Sequence, residues 1–159
     1  MRRQKSDLVL ILLALAVMGV GWSCAPRRGV PNRGAEIVVP MRLVELTTGR
    51  GVEPGAPARP LQTGDRFHVS EPLVTCLARF QHGIGAHRVQ FKWYGPGGEL
   101  YASSDERPIE PPGRYHEFVV IWHSISIGGE MASRLPGLWR VTAWLDGAMV
   151  GSSGFEVYL

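Results

Sequence analysis

"WRVTAWLDGAMVGSSGFEVYL", residues 139–159, alternates apolar and polar side chains on both sides of an Asp-Gly pair. Along an extended chain Trp139, Val141, Ala143 and Leu145 point one way, and Arg140 and Thr142 the other. Side chains on a pleated strand repeat every second residue and those on a helix every 3.6, so this segment is predicted to be a strand. Trp144 shares the outer face and is the exception to its polarity. Asp146-Gly147 tolerates positive φ and suits a two-residue hairpin turn. On the return, Phe155, Val157 and Leu159 alternate with Glu156 and Tyr158. The intervening "GSSG", residues 151–154, is too small to pack and is expected to bend or bulge the strand.

The same periodicity recurs upstream. In "HRVQFKWYGPGGELYASS", residues 87–104, Val89, Phe91 and Trp93 alternate with Arg88, Gln90 and Lys92, and "GPGG" closes a hairpin. "YHEFVVIWHSISI", residues 115–127, is long, apolar and β-branched, which favours a strand over a helix. In "LVTCLARF", residues 73–80, Cys76, Ala78 and Phe80 share one face and Thr75 and Arg79 the other; Leu77 breaks the alternation. "RFHVSE", residues 66–71, and "EIVVPMRLVELTTG", residues 36–49, are further strand candidates. Pro40 belongs at an edge or bulge, because it has no N–H for a ladder. "RGVEPGAPARPLQTGDRF", residues 50–67, reads as a loop, and Glu130 to Leu135 as one short helical turn.

Seven or eight strands with no long amphipathic helix after residue 25 predict an all-β fold. Gly and Pro make up 32 of 159 residues, against roughly 12% on average, which also favours a turn-rich, strand-built chain. Turn-linked runs predict mainly antiparallel sheets, and residues 36–159 suffice for one two-layer sandwich with apolar faces inward.

"MRRQKSDLVLILLALAVMGVGWSCAP", residues 1–26, has the layout of a bacterial export signal: a basic start, an apolar run from Leu8 to about Val20, then small residues beside a cysteine. The run is short for a membrane span, which needs about 20 apolar residues. Ser23 directly before Cys24 resembles a bacterial lipoprotein signal. The resemblance implies a signal segment over 1–23 and a lipidated Cys24 as first mature residue. Gly21 stands where that family usually has Leu, and Trp22 is bulky. Gly21 and Ser23 also fit an ordinary secretory cleavage pattern, and an uncleaved anchor is a third possibility. Acyl chains contribute about 0.8 kcal/mol per buried CH₂, so several would hold the domain on a membrane. Residues 24–35 read as a flexible tether in which Arg27, Arg28 and Arg33 are solvated or touch anionic lipid.

Cys24 and Cys76 are the only cysteines. With Cys24 lipidated, Cys76 is expected to be a buried small hydrophobe; without lipid, a Cys24–Cys76 disulfide becomes possible in an oxidising compartment. Paired-cysteine metal motifs are excluded. The net charge is +3. Without the first 23 residues, 14 basic groups face 13 acidic ones. No Lys/Arg stripe with interleaved aromatics appears, so nucleic acid is not an expected partner.

"FKWYGPGGELY", residues 91–101, and "PGLWRVTAWLDGAMVGSSGFEV", residues 136–157, resemble Ig-like sandwich domains of exported bacterial proteins of unknown function. The resemblance covers residues 88–159 and implies a binding or assembly module without carried-over catalytic residues. Antibody-type domains pair a cysteine near Cys76 with one near Ala143; this chain lacks the second.

Catalytic chemistry finds little support. His82 and His87 flank "HGIGAH" and with His116 or Glu117 would be the nearest approach to a zinc site. "GSSGF" is not G-x-S-x-G and has no helix after it. Asp105, Glu106 and Glu110 lie in a Pro-containing loop, and "GPGG" lacks a phosphate cradle's lysine and helix. No cofactor or metal is expected. Trp93, Trp139 and Phe155 are core by parity. Tyr94, Trp144 and Tyr158 have the opposite parity and are the partner-binding candidates, unless another layer or an edge loop covers them.

The expectation is therefore a non-catalytic envelope lipoprotein facing the periplasm or exterior, held to a membrane through its N-terminal lipid. It would bind or scaffold another envelope protein or a surface polymer, through the aromatic face or the open edge of the terminal hairpin. The alternatives are a secreted soluble protein, a structural stalk, and a small periplasmic hydrolase or enzyme subunit with a His-containing loop site.

Overall fold

The computed structural model describes residues 39–55, 57–109 and 115–159. The signal segment 1–23, Cys24, the tether 24–35 and Glu110 lie outside the described residues.

Among the described residues, ten strand segments form two sheets. One contains β1 (Arg42–Glu53), β2 (Arg59–Thr63), β4 (Leu73–Gly83) and β8 (His116–Ser126), in the order β2-β1-β4-β8. The other contains β3 (Arg66–His68), β5 (Arg88–Tyr94), β6 (Leu100–Ser103), β9 (Gly137–Leu145) and β10 (Ala148–Tyr158), in the order β3-β10-β9-β5-β6, with the two-residue β7 (Arg107–Pro108) also on β5. All pairings are antiparallel except β3 with β10, which run parallel. A sheet built from the first, fourth and eighth strands facing one built from the fifth, ninth and tenth is the connectivity of an Ig-like sandwich. The expected helical turn is a 3₁₀ turn over Met131–Arg134.

The core follows the sequence parity. Val74, Cys76, Ala78 and Phe80 project from β4, Val89, Phe91 and Trp93 from β5, Trp139, Val141 and Ala143 from β9, and Phe155 and Val157 from β10. Phe155 links the aromatic centre: its ring meets Phe67 edge-on at 5.7 Å and Trp93 edge-on at 5.9 Å, and stacks on Trp139 at 6.1 Å. Each such side chain contributes about 1.5–3 kcal/mol by leaving water. Cys76 and Ala143 both lie in this core, Cys76 as a free thiol whose pKa burial pushes up to about 12.

The Asp146-Gly147 turn has φ of 51° and 80°, the left-handed pair of a type I′ hairpin, between the partnered residues Leu145 and Ala148. The expected distortion of the return strand is a register shift between Met149 and Gly151. There the missing side chain matters: a Cβ on Gly151 would meet the Leu43 side chain.

Two expectations are corrected, and one irregularity is explained. Residues 50–67 are not all loop, because β1 runs on to Glu53 and β2 returns against it. Pro60 is compatible because β2 is an edge strand, where a missing N–H on the open side costs no ladder bond. Leu77 breaks the alternation because the outer face of its sheet is also partly covered. It lies opposite Trp122, in a hollow walled by Pro57, Ala58 and Pro60. Leu159, assigned inward by parity, lies beyond the end of β10 and is exposed.

Candidate functional site

The outward positions of the six-stranded sheet are the even-numbered residues of β5, β9 and the end of β10, because the odd ones fill the core. This places Tyr94, Trp144 and Tyr158 on one face, as their parity predicted. Strand register separates them. Tyr94 lies opposite Arg140, Trp144 opposite Gln90, and Glu156, two residues before Tyr158, opposite Leu138. At ~3.4 Å per residue, neighbouring rings are about 14 Å apart along the strands.

Each ring is half-buried and lies under a cation. Lys92 Nζ is 3.9 Å from the Trp144 ring centre, Arg140 Cζ is 4.8 Å from Tyr94, and Arg66 Cζ is 4.9 Å from Tyr158. Of the two readings left open, exposed rings or rings covered by another layer or an edge loop, neither describes the face: cation–π attraction and the cations' aliphatic stems cover the rings. Trp144 is further fixed by its Nε1–H, which donates to Thr142 Oγ1 at 2.8 Å. Tyr158 meets His68 edge-on at 5.4 Å. What the face presents is charge. Arg66, Arg88, Lys92 and Arg140 occupy outward positions on β3, β5 and β9, with Glu156 beside Arg66 at 2.9 Å. Lys92, Arg140 and Arg66 step diagonally across the sheet, and the small residues Ser152 and Gly154 leave the ground between the last two open.

None of these cations was singled out from the sequence. Each ring and its cation are at least 46 residues apart, and only strand pairing brings them together. Of the terminal hairpin, offered above as an open edge, β9 is interior because it pairs with β5, while β3 covers β10 only over Glu156–Tyr158; among the described residues no strand lies beyond residues 148–155 of β10.

The histidines do not converge. Among the described residues no three His, Cys, Asp or Glu side chains are placed to hold a metal ion. His82 Nδ1 is 2.7 Å from Tyr115 Oη. His87 is 3% exposed, and its Nδ1 donates to Asp146 Oδ2 at 2.7 Å. This corrects the idea of a His82/His87/His116 loop site, because His87 is consumed in holding the hairpin turn. Ser152 and Ser153 sit within β10, not at a strand-to-helix turn.

His123 is half-buried between the sheets, where the indole of Trp93 donates from Nε1 to its Nδ1 at 3.0 Å. Burial, reinforced by the Arg107 charge and opposed by Asp105, holds its pKa below the usual imidazole value. The unfolded chain therefore takes up the proton first as pH falls. This contribution to stability is complete above about pH 6.5 and declines as pH drops from there toward the depressed folded value. His123→Gln keeps an acceptor for Trp93 and does not titrate. Its melting temperature is expected to fall less than that of the wild type between pH 7 and pH 5, and equal pH slopes would refute the assignment.

No protein-family model matches the chain, and the comparison with curated proteins gives no match. Among solved structures, it is similar to the alkylpurine DNA glycosylase AlkC of Pseudomonas fluorescens. The TM-score is 0.50 at 13% identity over 75% of this chain, which spans only 30% of the glycosylase chain. It also matches an immunoglobulin-like protein from Pseudomonas aeruginosa, with TM-score 0.39, 14% identity, 78% of this chain and 99% of that one. A third match is the CARDB domain of a Pyrococcus furiosus protein, with TM-score 0.44, 14% identity, 78% and 96%. At these identities the glycosylase likeness concerns fold alone, and the strand order described above is what makes this chain an Ig-like all-β sandwich.

Proposed function

We propose that this chain is an exported, membrane-tethered, non-catalytic binding module whose basic sheet face holds an anionic polysaccharide of the cell envelope. The observation that carries the proposal is the set of three cations seated on aromatic rings across one face. A ring orders a cation without neutralising it, as a carboxylate would, and this describes Lys92 and Arg140; Arg66 is in addition paired with Glu156 at 2.9 Å. Arg140 on Tyr94 keeps the edge donors of its guanidinium available for a carboxylate or phosphate. Charges spaced along a sheet suit a polymer that repeats its own charge, with each contact weak and the sum additive through linkage.

The basic start, the apolar run from Leu8 and the Ser23-Cys24 pair support export and lipid anchoring. Export also favours an extracytoplasmic polysaccharide over nucleic acid. Mass analysis of the mature protein tests the anchor: a first residue Cys24 carrying diacylglycerol is expected, and an unmodified terminus would refute it.

Binding is tested with the full chain in detergent against immobilised polyuronate, a phosphodiester-linked glycan, neutral dextran and DNA. Retention on one of the two anionic glycans, weakening as salt rises, is expected. The Lys92→Gln/Arg140→Gln double variant is expected to lose affinity at least about tenfold, roughly 1.4 kcal/mol. Trp144→Ala, which removes the platform under Lys92, is expected to lose several-fold. Equal retention on dextran, preference for DNA, or an unchanged double variant would refute the proposal.

A further inference from the structure

We propose that β8 is the seat of a two-fold contact with a second copy of this chain, the two β8 strands pairing antiparallel about Val120.

β8 ends the four-stranded sheet, and among the described residues no strand lies on its far side. Natural sheets blunt such edges by shortness, bulges, proline or charge. β8 has 11 residues, pairs with β4 in unbroken register from Leu73↔Ser126 to Gln81↔Phe118, and contains no proline. Its formally charged side chain is Glu117, near one end. The outer face stays apolar, with Phe118 42% and Trp122 40% exposed. Phe118, Val120 and Trp122 border a hollow of about 450 Å³ closed on the other side by Pro57 and Ala58.

The backbone direction is also defined. Arg107 Nη1 donates to the Trp122 carbonyl at 3.4 Å, so this carbonyl points away from β4. Alternation along an antiparallel strand then turns the N–H and C=O groups of Phe118, Val120 and Ser124 to the same open side. A second β8 centred on Val120 would meet them in hydrogen-bonded pairs and displace the long Arg107 contact.

Chemistry selects that register. Centred on Val120, Phe118 faces Trp122 of the second copy, and Glu117 faces His123 of the second copy. Trp93 can only donate to His123 Nδ1, so the neutral ring carries its hydrogen on Nε2, a donor for that carboxylate. Moving the centre to Ile121 sets Glu117 against Ile125 and Phe118 against Ser124. Moving it to Val119 sets Glu117 against Ile121 and Trp122 against His116. Only the Val120 register joins aromatic to aromatic and acid to imidazole, both favourable cross-strand pairs.

Cross-linking of the full chain in detergent tests the contact. At the two-fold axis, Val120→Cys would meet its own copy across a hydrogen-bonded pair. Its Cα separation of about 5.5 Å lies within the range of a disulfide. Ser124→Cys would face His116 and have no thiol opposite. Cys24 and Cys76 are present in every sample, so the wild type supplies the blank. On mild oxidation, Val120→Cys is expected to yield at least about tenfold more linked dimer than either the wild type or Ser124→Cys. Adding Trp122→Lys is expected to cut that yield about tenfold, equivalent to roughly 1.4 kcal/mol of association. The folded circular dichroism signal should stay unchanged, because Trp122 lies on the outer face. Linked dimer no greater than with Ser124→Cys, or indifferent to Trp122→Lys, would overturn the proposal, including the case in which β8 receives a strand from another protein.

Discussion

Trp93→Ala is expected to cost about 3–5 kcal/mol, the range for truncating a buried tryptophan, and to lower the melting temperature by more than about 10 °C. Trp93 is fully buried, and its ring packs edge-on against Phe155, which stacks in turn on Trp139. Removing the indole therefore opens a cavity at the junction of the two sheets. It also takes the donor from His123 Nδ1. Set against a typical domain stability of about 5–15 kcal/mol, the loss leaves little margin. Trp93→Phe separates the contributions: it keeps an aromatic body, loses the N–H, and is expected to cost less than half as much. Urea unfolding followed by far-ultraviolet circular dichroism measures both. An alanine variant with a wild-type midpoint would remove Trp93 from the core.

Asp146→Ala is the second large effect. Asp146 sits at φ 51°, a left-handed conformation that Asp and Asn tolerate better than Ala. Its Oδ1 accepts the Arg88 backbone N–H at 2.8 Å, while Oδ2 accepts from the nearly inaccessible His87. Alanine removes both acceptors and strains the turn. Leaving a buried donor without its partner costs about 1–3 kcal/mol, and the left-handed alanine adds about 1 kcal/mol. Asp146→Asn retains an acceptor and the backbone preference and is expected to recover at least half of the loss. Thermal melts of the three proteins at pH 7 decide this. Equal destabilisation by Asn and Ala would mean that the negative charge, and not the hydrogen bonds or the turn, is what Asp146 contributes.

Asp146 illustrates how much was legible in sequence. Asp-Gly between alternating runs identified the turn, because turn preference is a property of the two residues and their neighbours. Its clamp on His87 was not legible, because His87 is 59 residues away. The histidines of "HGIGAH" were therefore weighed for metal chemistry when one of them is an internal strut. Misreading residues 50–67 has a related cause. Proline and glycine suppress strand propensity, but β2 is an edge strand whose pairing with β1 accommodates Pro60. The candidate face was half legible. Tyr94, Trp144 and Tyr158 were placed on one side correctly, while the cations covering them went unnoticed.

Side-chain parity, the Asp-Gly turn and the apolar strands that make an all-β sandwich were determined by the sequence itself. Each is a local property, set by a period of two residues or by the dihedral freedom of one or two positions. The tertiary structure alone decided which strands became neighbours, and so which cation lies on which ring and why β8 ends a sheet with an apolar edge. Those outcomes depend on registers between segments 46 to 92 residues apart, where the chain between carries no record of which partner its ends will meet.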